Sequence, residues 1–265
     1  MEIQILGSVF LSHEDKQYAM ASRRVSSVLT VLALTPREPI SSDQLVDELW
    51  GERRMANARN ALHANVGRLR KYLETITGIK GGDLIRTVGS GYLLDVPPET
   101  VDAHRFLKLA DAGADLVHRD PAAAIARLEQ ALALWRGPAL MDACEGLRCR
   151  ISAAQLEERR ITAYEDLTAA KLAVEAHRVS VTELRQLATE HAERERLSEL
   201  LMLALYRDGR QAEALEVFHG ARQRLASDLG LEPGRALHRV YQAILQQDEG
   251  LGEPRQALAY MGQTS

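Results

Sequence analysis

The sequence predicts a mainly α-helical chain in two parts: an α+β module over residues 1–97 and an all-α helical domain over 98–249, followed by a tail at 250–265. Three observations carry this reading. Short β-type runs flank helical periodicities in the first part, apolar residues at helical spacing with abundant Ala and Leu fill the second, and Pro97-Pro98 separates the two compositions. Hydrophobic content of 46% and charged content of 26% are those of an ordinary globular protein. The start of the chain carries Glu2 and only a short apolar run, and no stretch reaches membrane-spanning length, so a cytoplasmic location and no membrane partner are expected.

Residues 3 to 20 read as short strands, with Ile3, Ile5 and Val9 in the first part, a polar turn at Ser12 to Gln17, and Tyr18 to Met20 after it. Ser22 stands where an N-cap belongs, ahead of a helix with Val25, Val28, Leu29 and Leu32 on one side that ends before Pro36. Ser41 with Gln44 makes a capping-box pattern; Leu45, Leu49 and Trp50 supply the apolar face, and Gly51 ends the helix.

The next stretch, Arg53 to Leu73, carries six Arg or Lys and no acid in a chain of net charge -4. Leu62, Val66, Leu69 and Leu73 stack into one apolar stripe at helical spacing. The opposite face holds Asn60, Ala64, Gly67, Arg68 and Lys71, with Arg59, His63 and Arg70 on one flank and Asn65 on the other. Such a surface suits the major groove of double-stranded DNA. Small residues let the backbone approach, Arg68 offers two donors to guanine, Asn60, His63 and Asn65 read or bridge neighbouring bases, and Arg59, Arg70 and Lys71 meet phosphates. A solvated basic face of an ordinary amphipathic helix would show the same pattern. The first hundred residues hold twelve basic and twelve acidic side chains, so a DNA-binding reading rests on clustering rather than on overall charge.

Gly78 to Gly82 breaks this helix, and Leu84 to Val88 and Tyr92 to Val96 read as strands joined by Gly89-Ser90-Gly91. A phosphate-cradling loop is not favoured, because no Lys-Ser or Lys-Thr follows the glycines and no helix starts there. Two helices feeding a basic third, then a hairpin, is the order of a winged helix-turn-helix.

The strings LVDELWG, NALHANVGRLRKYL and IRTVGSGYLL resemble the OmpR-type winged helix at the N-terminus of the Streptomyces antibiotic regulatory proteins. The resemblance implies base-facing positions at Ala64, Asn65 and Arg68 and phosphate-facing ones at Arg59, Arg70 and Lys71. Val88 stands where many such wings have arginine, and Gly91-Tyr92-Leu93 replaces Gly-Tyr-Arg, so wing contacts with the DNA backbone fall to Arg86, Thr87 and Tyr92.

Beyond Pro97-Pro98, Phe106, Leu109, Ala110 and Leu116 begin a helix, and Asp120-Pro121 opens another with Ala124, Leu128 and Ala131. The same small-large-small interval returns at Ala214, Phe218 and Ala221 after an Asp208-Gly209-Arg210 turn. This is tetratricopeptide-like spacing, which an unrelated helical bundle would share. The strings LEQALALWRGPAL and LYRDGRQAEALEVFHGARQRLASDLGLEPGRALHRVYQAILQQD resemble the bacterial transcriptional activation domain that follows the winged helix in the same family.

The two resemblances together imply an activator that binds direct repeats near a promoter as a homodimer on DNA. It would recruit RNA polymerase holoenzyme with its sigma factor to a secondary-metabolite gene cluster, and would be associated with the nucleoid. They also imply a hinge near Pro97-Pro98 and, from the chain's length, no appended ATPase. A protein-protein adaptor and a ligand-sensing regulator remain as alternatives. No cofactor, metal site or catalytic residue is expected. The common hydrolase and nucleotide motifs are missing, Cys144 and Cys149 are too few for a structural zinc site, and His177, His191, His219 and His238 share no ligand spacing.

Overall fold

The computed structural model describes residues 1–20, 22–51, 57–142, 146–174 and 179–251, with Leu229 as backbone alone. They pack as two compact units. The first gathers 1–110 and 130–161, the second 111–129 and the described residues from Thr162 on.

In the first unit, β1 (Glu2–Gln4), β2 (Phe10–His13) and β3 (Lys16–Ala19) form an antiparallel sheet in that order. The polar turn is shorter than expected. Glu14 and Asp15 alone make it, both with positive φ (50° and 60°), which matches the twist of a two-residue hairpin. Helix α1 (Arg23–Leu34) starts after Ser22, although the Ser22 hydroxyl accepts no capping bond.

A two-residue strand, β4 (Ile40–Ser41), leads into α2 (Ser42–Trp50). The capping box forms as expected: Gln44 N–H donates to Ser41 Oγ at 3.2 Å and Ser41 N–H to Gln44 Oε1 at 3.1 Å. Gly51 then ends α2 with φ 54°, its N–H on the Asp47 carbonyl.

Helix α3 (Ala58–Thr77) buries Leu62, Val66, Leu69 and Leu73 and stops at Gly78, a left-handed cap with φ 69°. A single turn, α4 (Gly81–Leu84), takes up the glycines before β5 (Ile85–Val88) pairs antiparallel with β6 (Gly91–Leu94). The hairpin has a third strand that periodicity did not show, because β4 pairs with β6 through Ile40 and Tyr92. Gly91 is required there: a Cβ would stand 2.2 Å from the Ile40 carbonyl oxygen.

The hinge expected at Pro97-Pro98 is corrected, because the chain just beyond the two prolines is tied to the N-terminal segment. Val101 bridges Ile3 in parallel, and the Asp102 carboxylate accepts the N–H groups of Ile5 (2.8 Å) and Leu6 (3.2 Å) and the Arg136 guanidinium (2.7 Å). Arg136 and Leu140 N–H return to the Leu6 and Ile5 carbonyls, both at 2.9 Å. Asp102 is 1% exposed; burial pushes its carboxyl above the ordinary range while these donors pull it back, and freeing the segment would leave the Ile5 and Leu6 N–H groups without their acceptor. Helix α5 (Asp102–Ala114) thus begins inside the first unit, where Phe106 meets Trp135 edge to face at 5.2 Å. Helices α6 (Pro121–Leu132) and α7 (Leu147–Leu172) follow. The N–H groups of Arg148 and Cys149 opening α7 donate to the Glu48 carboxylate of α2.

The second unit is all helical. Its centre is α9 (Glu195–Arg207), buried without break from Leu197 to Leu205 and packed by α8 (Val181–Glu190), α10 (Gln211–Arg224) and α11 (Arg235–Leu245). Gly209 turns α9 into α10 with φ 75°. Ala214, Phe218 and Ala221 are buried as the spacing predicts, and Phe218 stacks on Tyr241 of α11 at 4.0 Å.

Candidate nucleic-acid interface

With its apolar stripe in the core, α3 leaves Asn60, His63, Ala64, Gly67, Arg68 and Lys71 exposed along its other side. Small residues at 64 and 67 keep the middle of this face close to the helix axis, while Arg68 and Lys71 stand out from it. Arg68 Nη1 donates to Asn65 Oδ1 at 3.2 Å, and the side chain stays exposed. Arg59 begins the face and is exposed, and it makes a two-pronged pair with Asp43 of α2, with Nη2 2.6 and 2.9 Å from the two carboxylate oxygens.

Three residues expected to touch DNA, Asn65, Arg70 and Tyr92, are turned away from the exposed face. Asn65 is only 5% exposed, because it lies three residues after Leu62 and four before Leu69 and so falls on the apolar stripe. Arg70 turns back onto the hairpin, its Nε donating to the Ile85 carbonyl (2.9 Å) and its Nη2 to Thr87 Oγ1 (2.8 Å). Thr87 is exposed, and because its oxygen accepts from Arg70 its O–H remains free to donate. Tyr92 is 3% exposed, with its hydroxyl 2.5 Å from His63 Nδ1. Burial pushes the Tyr92 phenol above its ordinary value, and the Arg70 guanidinium, 5.7 Å over the ring, pulls weakly the other way. Arg86 stays exposed and pairs with Asp95 at 3.0 Å.

Between the start of α2, the first turns of α3 and the hairpin turn lies a cleft of roughly 200 Å³ lined by Ser42, Asp43, Arg59, His63, Thr87 and Tyr92, among others. Sequence reasoning missed Asp43 and Ser42. Asp43 is visible only as an acid in the first turn of α2, with nothing to tie it to an arginine sixteen residues on. Ser42 anchors the hairpin turn, its N–H and hydroxyl both donating to the Ser90 carbonyl.

The scattered histidines take ordinary places. His219 and His238 lie edge-on to Phe218, His191 sits 3.8 Å from Glu193, and His177 is outside the described residues, as are Cys144, Arg53 and Arg54. Cys149 is buried. Among the described residues no group of three potential ligands could hold a metal, and no helix is long and apolar enough to cross a membrane.

Residues 16–94 match the family model described as "Transcriptional regulatory protein, C terminal", and residues 101–245 match the "Bacterial transcriptional activator domain". The chain is similar to the transcriptional regulator RedD of Streptomyces coelicolor, 44% identical over 96% of this chain and 73% of RedD. It is 34% identical to the regulatory protein DnrI of Streptomyces peucetius over 95% of this chain and 94% of DnrI. With the regulatory protein AfsR of Streptomyces coelicolor it shares 36% identity over 96% of its own length and 25% of that protein's. Among solved structures, Mycobacterium tuberculosis EmbR, in complex with a low affinity phosphopeptide, superposes with a TM-score of 0.87 at 28% identity, covering 97% of this chain and 69% of EmbR.

Proposed function

This chain belongs to the Streptomyces antibiotic regulatory protein family of transcriptional regulators, and on that premise we propose that it is a sequence-specific DNA-binding activator of a secondary-metabolite gene cluster. The observation that supports DNA binding best is the free side of α3. A helix whose other side is wholly in the core leaves two amide- or imidazole-bearing residues, two small residues and two cations toward solvent. Asn60, His63, Ala64 and Arg68 face base edges in this reading, Arg59, Lys71, Arg86 and the Thr87 hydroxyl meet phosphates, and Asn65 and Tyr92 hold Arg68 and His63 from behind.

Residues 1–97 are the DNA-binding domain and 98–249 the activation domain in this division of labour. Two copies bind direct repeats near a promoter and act on the nucleoid, recruiting RNA polymerase holoenzyme through its sigma factor. Direct repeats set the copies head to tail, so the contact between them uses two different surfaces, and neighbouring sites make even a weak contact effective. Selection from randomised duplexes with the purified chain, followed by titration of the selected site across salt, tests this. A repeated motif with a salt-dependent affinity is expected, and a chain that ignores duplex at modest ionic strength refutes it.

A further inference from the structure

The buried hydroxyl behind α3 makes a specific demand on His63. Tyr92 lies on the central strand of the β4-β6-β5 sheet, its ring enclosed and its Oη 2.5 Å from His63 Nδ1, with the two rings steeply inclined at 75°. Among the described residues, Oη has no other hydrogen-bond partner. A buried phenol proton left without an acceptor is costly, and here Nδ1 is the acceptor within reach. A neutral imidazole that accepts at Nδ1 carries its proton on Nε2.

We propose that Tyr92 is a positioning residue that locks His63 in the Nε2–H tautomer and so presents a hydrogen-bond donor to an acceptor on a base edge, a purine N7, guanine O6 or thymine O4. His63 itself is exposed on α3 beside Asn60 and Gly67. Without Tyr92 the ring could offer either a lone pair or a proton at that place, and a reader of undetermined sign discriminates poorly between donor and acceptor edges. The arrangement also explains why this tyrosine, expected at a phosphate, is turned inward. Arg70 covers its ring and holds Thr87 and Ile85 on the neighbouring strand, so the phenol has one direction to point.

This inference rests on the DNA-binding reading above, and its test has an arm that does not. In the full chain labelled with ¹⁵N-histidine, long-range ¹H–¹⁵N correlation identifies His63 as the signal lost in His63→Gln. At a pH where the same titration shows the ring neutral, Nδ1 is expected in the unprotonated range and Nε2 in the protonated one. Tyr92→Phe, which keeps the buried ring, should move both nitrogens toward averaged values. An Nδ1–H tautomer in the wild type, or a His63 spectrum unchanged in Tyr92→Phe, overturns the proposal.

In the second arm, duplex selection with Tyr92→Phe and with His63→Gln should lose preference at the same base step, each by about 2- to 10-fold, the worth of one neutral hydrogen bond. The double variant should be no worse than His63→Gln. Duplex binding with unaltered preference in both variants overturns this inference alone, whereas a wild-type chain that binds no duplex overturns the DNA-binding reading and with it the role given to the locked tautomer.

Discussion

Asp43 stands among the groups that would face phosphate, and replacing it with asparagine measures what Arg59 does. The Arg59–Asp43 pair is short, at 2.6 Å, but the two side chains are 68% and 69% exposed. A pair so open to water is worth about 0 to 1 kcal/mol, so Arg59 can leave Asp43 for a phosphate at a cost no larger than that. Asp43→Asn removes the competitor and a negative charge from the docking surface together. Affinity for duplex is therefore expected to rise by up to about 5-fold at low salt, similarly for specific and unrelated sequences. If Arg59 then neutralises one more phosphate, the slope of log affinity against log salt steepens by about 0.9, an extra loss of roughly 3- to 4-fold between about 50 and 200 mM. The substitution also takes an acid from the first turn of α2, which lowers stability by about 0.3 to 1 kcal/mol. Fluorescence anisotropy with one specific and one scrambled duplex, across salt, gives both quantities. Unchanged affinity and slope would show that Arg59 does not reach DNA. A uniform fall would show that Asp43 instead holds Arg59 in its working position, and either result refutes the reasoning.

Other substitutions test separate parts of the molecule. Arg68→Ala should cost about 1 to 3 kcal/mol on the selected site and relax one base position, whereas Lys71→Ala should weaken all sequences alike and flatten the salt slope; gel shifts and repeat selection distinguish the two. Asp102→Ala leaves the Ile5 and Leu6 N–H groups without their acceptor, while Arg136 keeps Gln4, and should lower unfolding free energy in urea titration by about 1 to 3 kcal/mol for each of the two stranded N–H groups. Glu199, 4% exposed on α9, is pushed by burial from 4.5 up to about 7, against the nearby Arg196. Its protonated form is the one the fold favours, so its contribution is fully present below 4.5 and lost as pH rises through about 7, at most about 3 kcal/mol. Glu199→Gln should therefore flatten the fall in stability between about pH 5 and pH 8, and an unchanged fall would exclude Glu199 as its source.

Much of the first unit could be read directly because its signals are local. Leu62, Val66, Leu69 and Leu73 share one side of α3 by helical geometry alone, and that same geometry leaves Asn60, Ala64, Gly67 and Lys71 on the other. Ser41 with Gln44, and the glycines at 51 and 78, act within a turn of themselves, so caps and ends were visible too. Asn65 is polar, yet it stands three residues from Leu62 and four from Leu69, and position rather than polarity puts it on the apolar stripe.

The sequence by itself thus determined the three helices of the first part, the hairpin and the cationic character of one helix side, since each depends on residues a few positions apart. Tertiary structure alone decided how the cations are used: Arg59 held by Asp43, Arg70 turned onto the Ile85 carbonyl, and Tyr92 aimed at His63. It also decided that β4 joins the hairpin and that Asp102 ties α5 to Ile5, just past β1 and 97 residues away. The physical reason is that periodicity places a side chain on a side of its own element, whereas its partner is chosen by how elements dock. A buried donor or acceptor takes whatever complementary group that docking brings within reach.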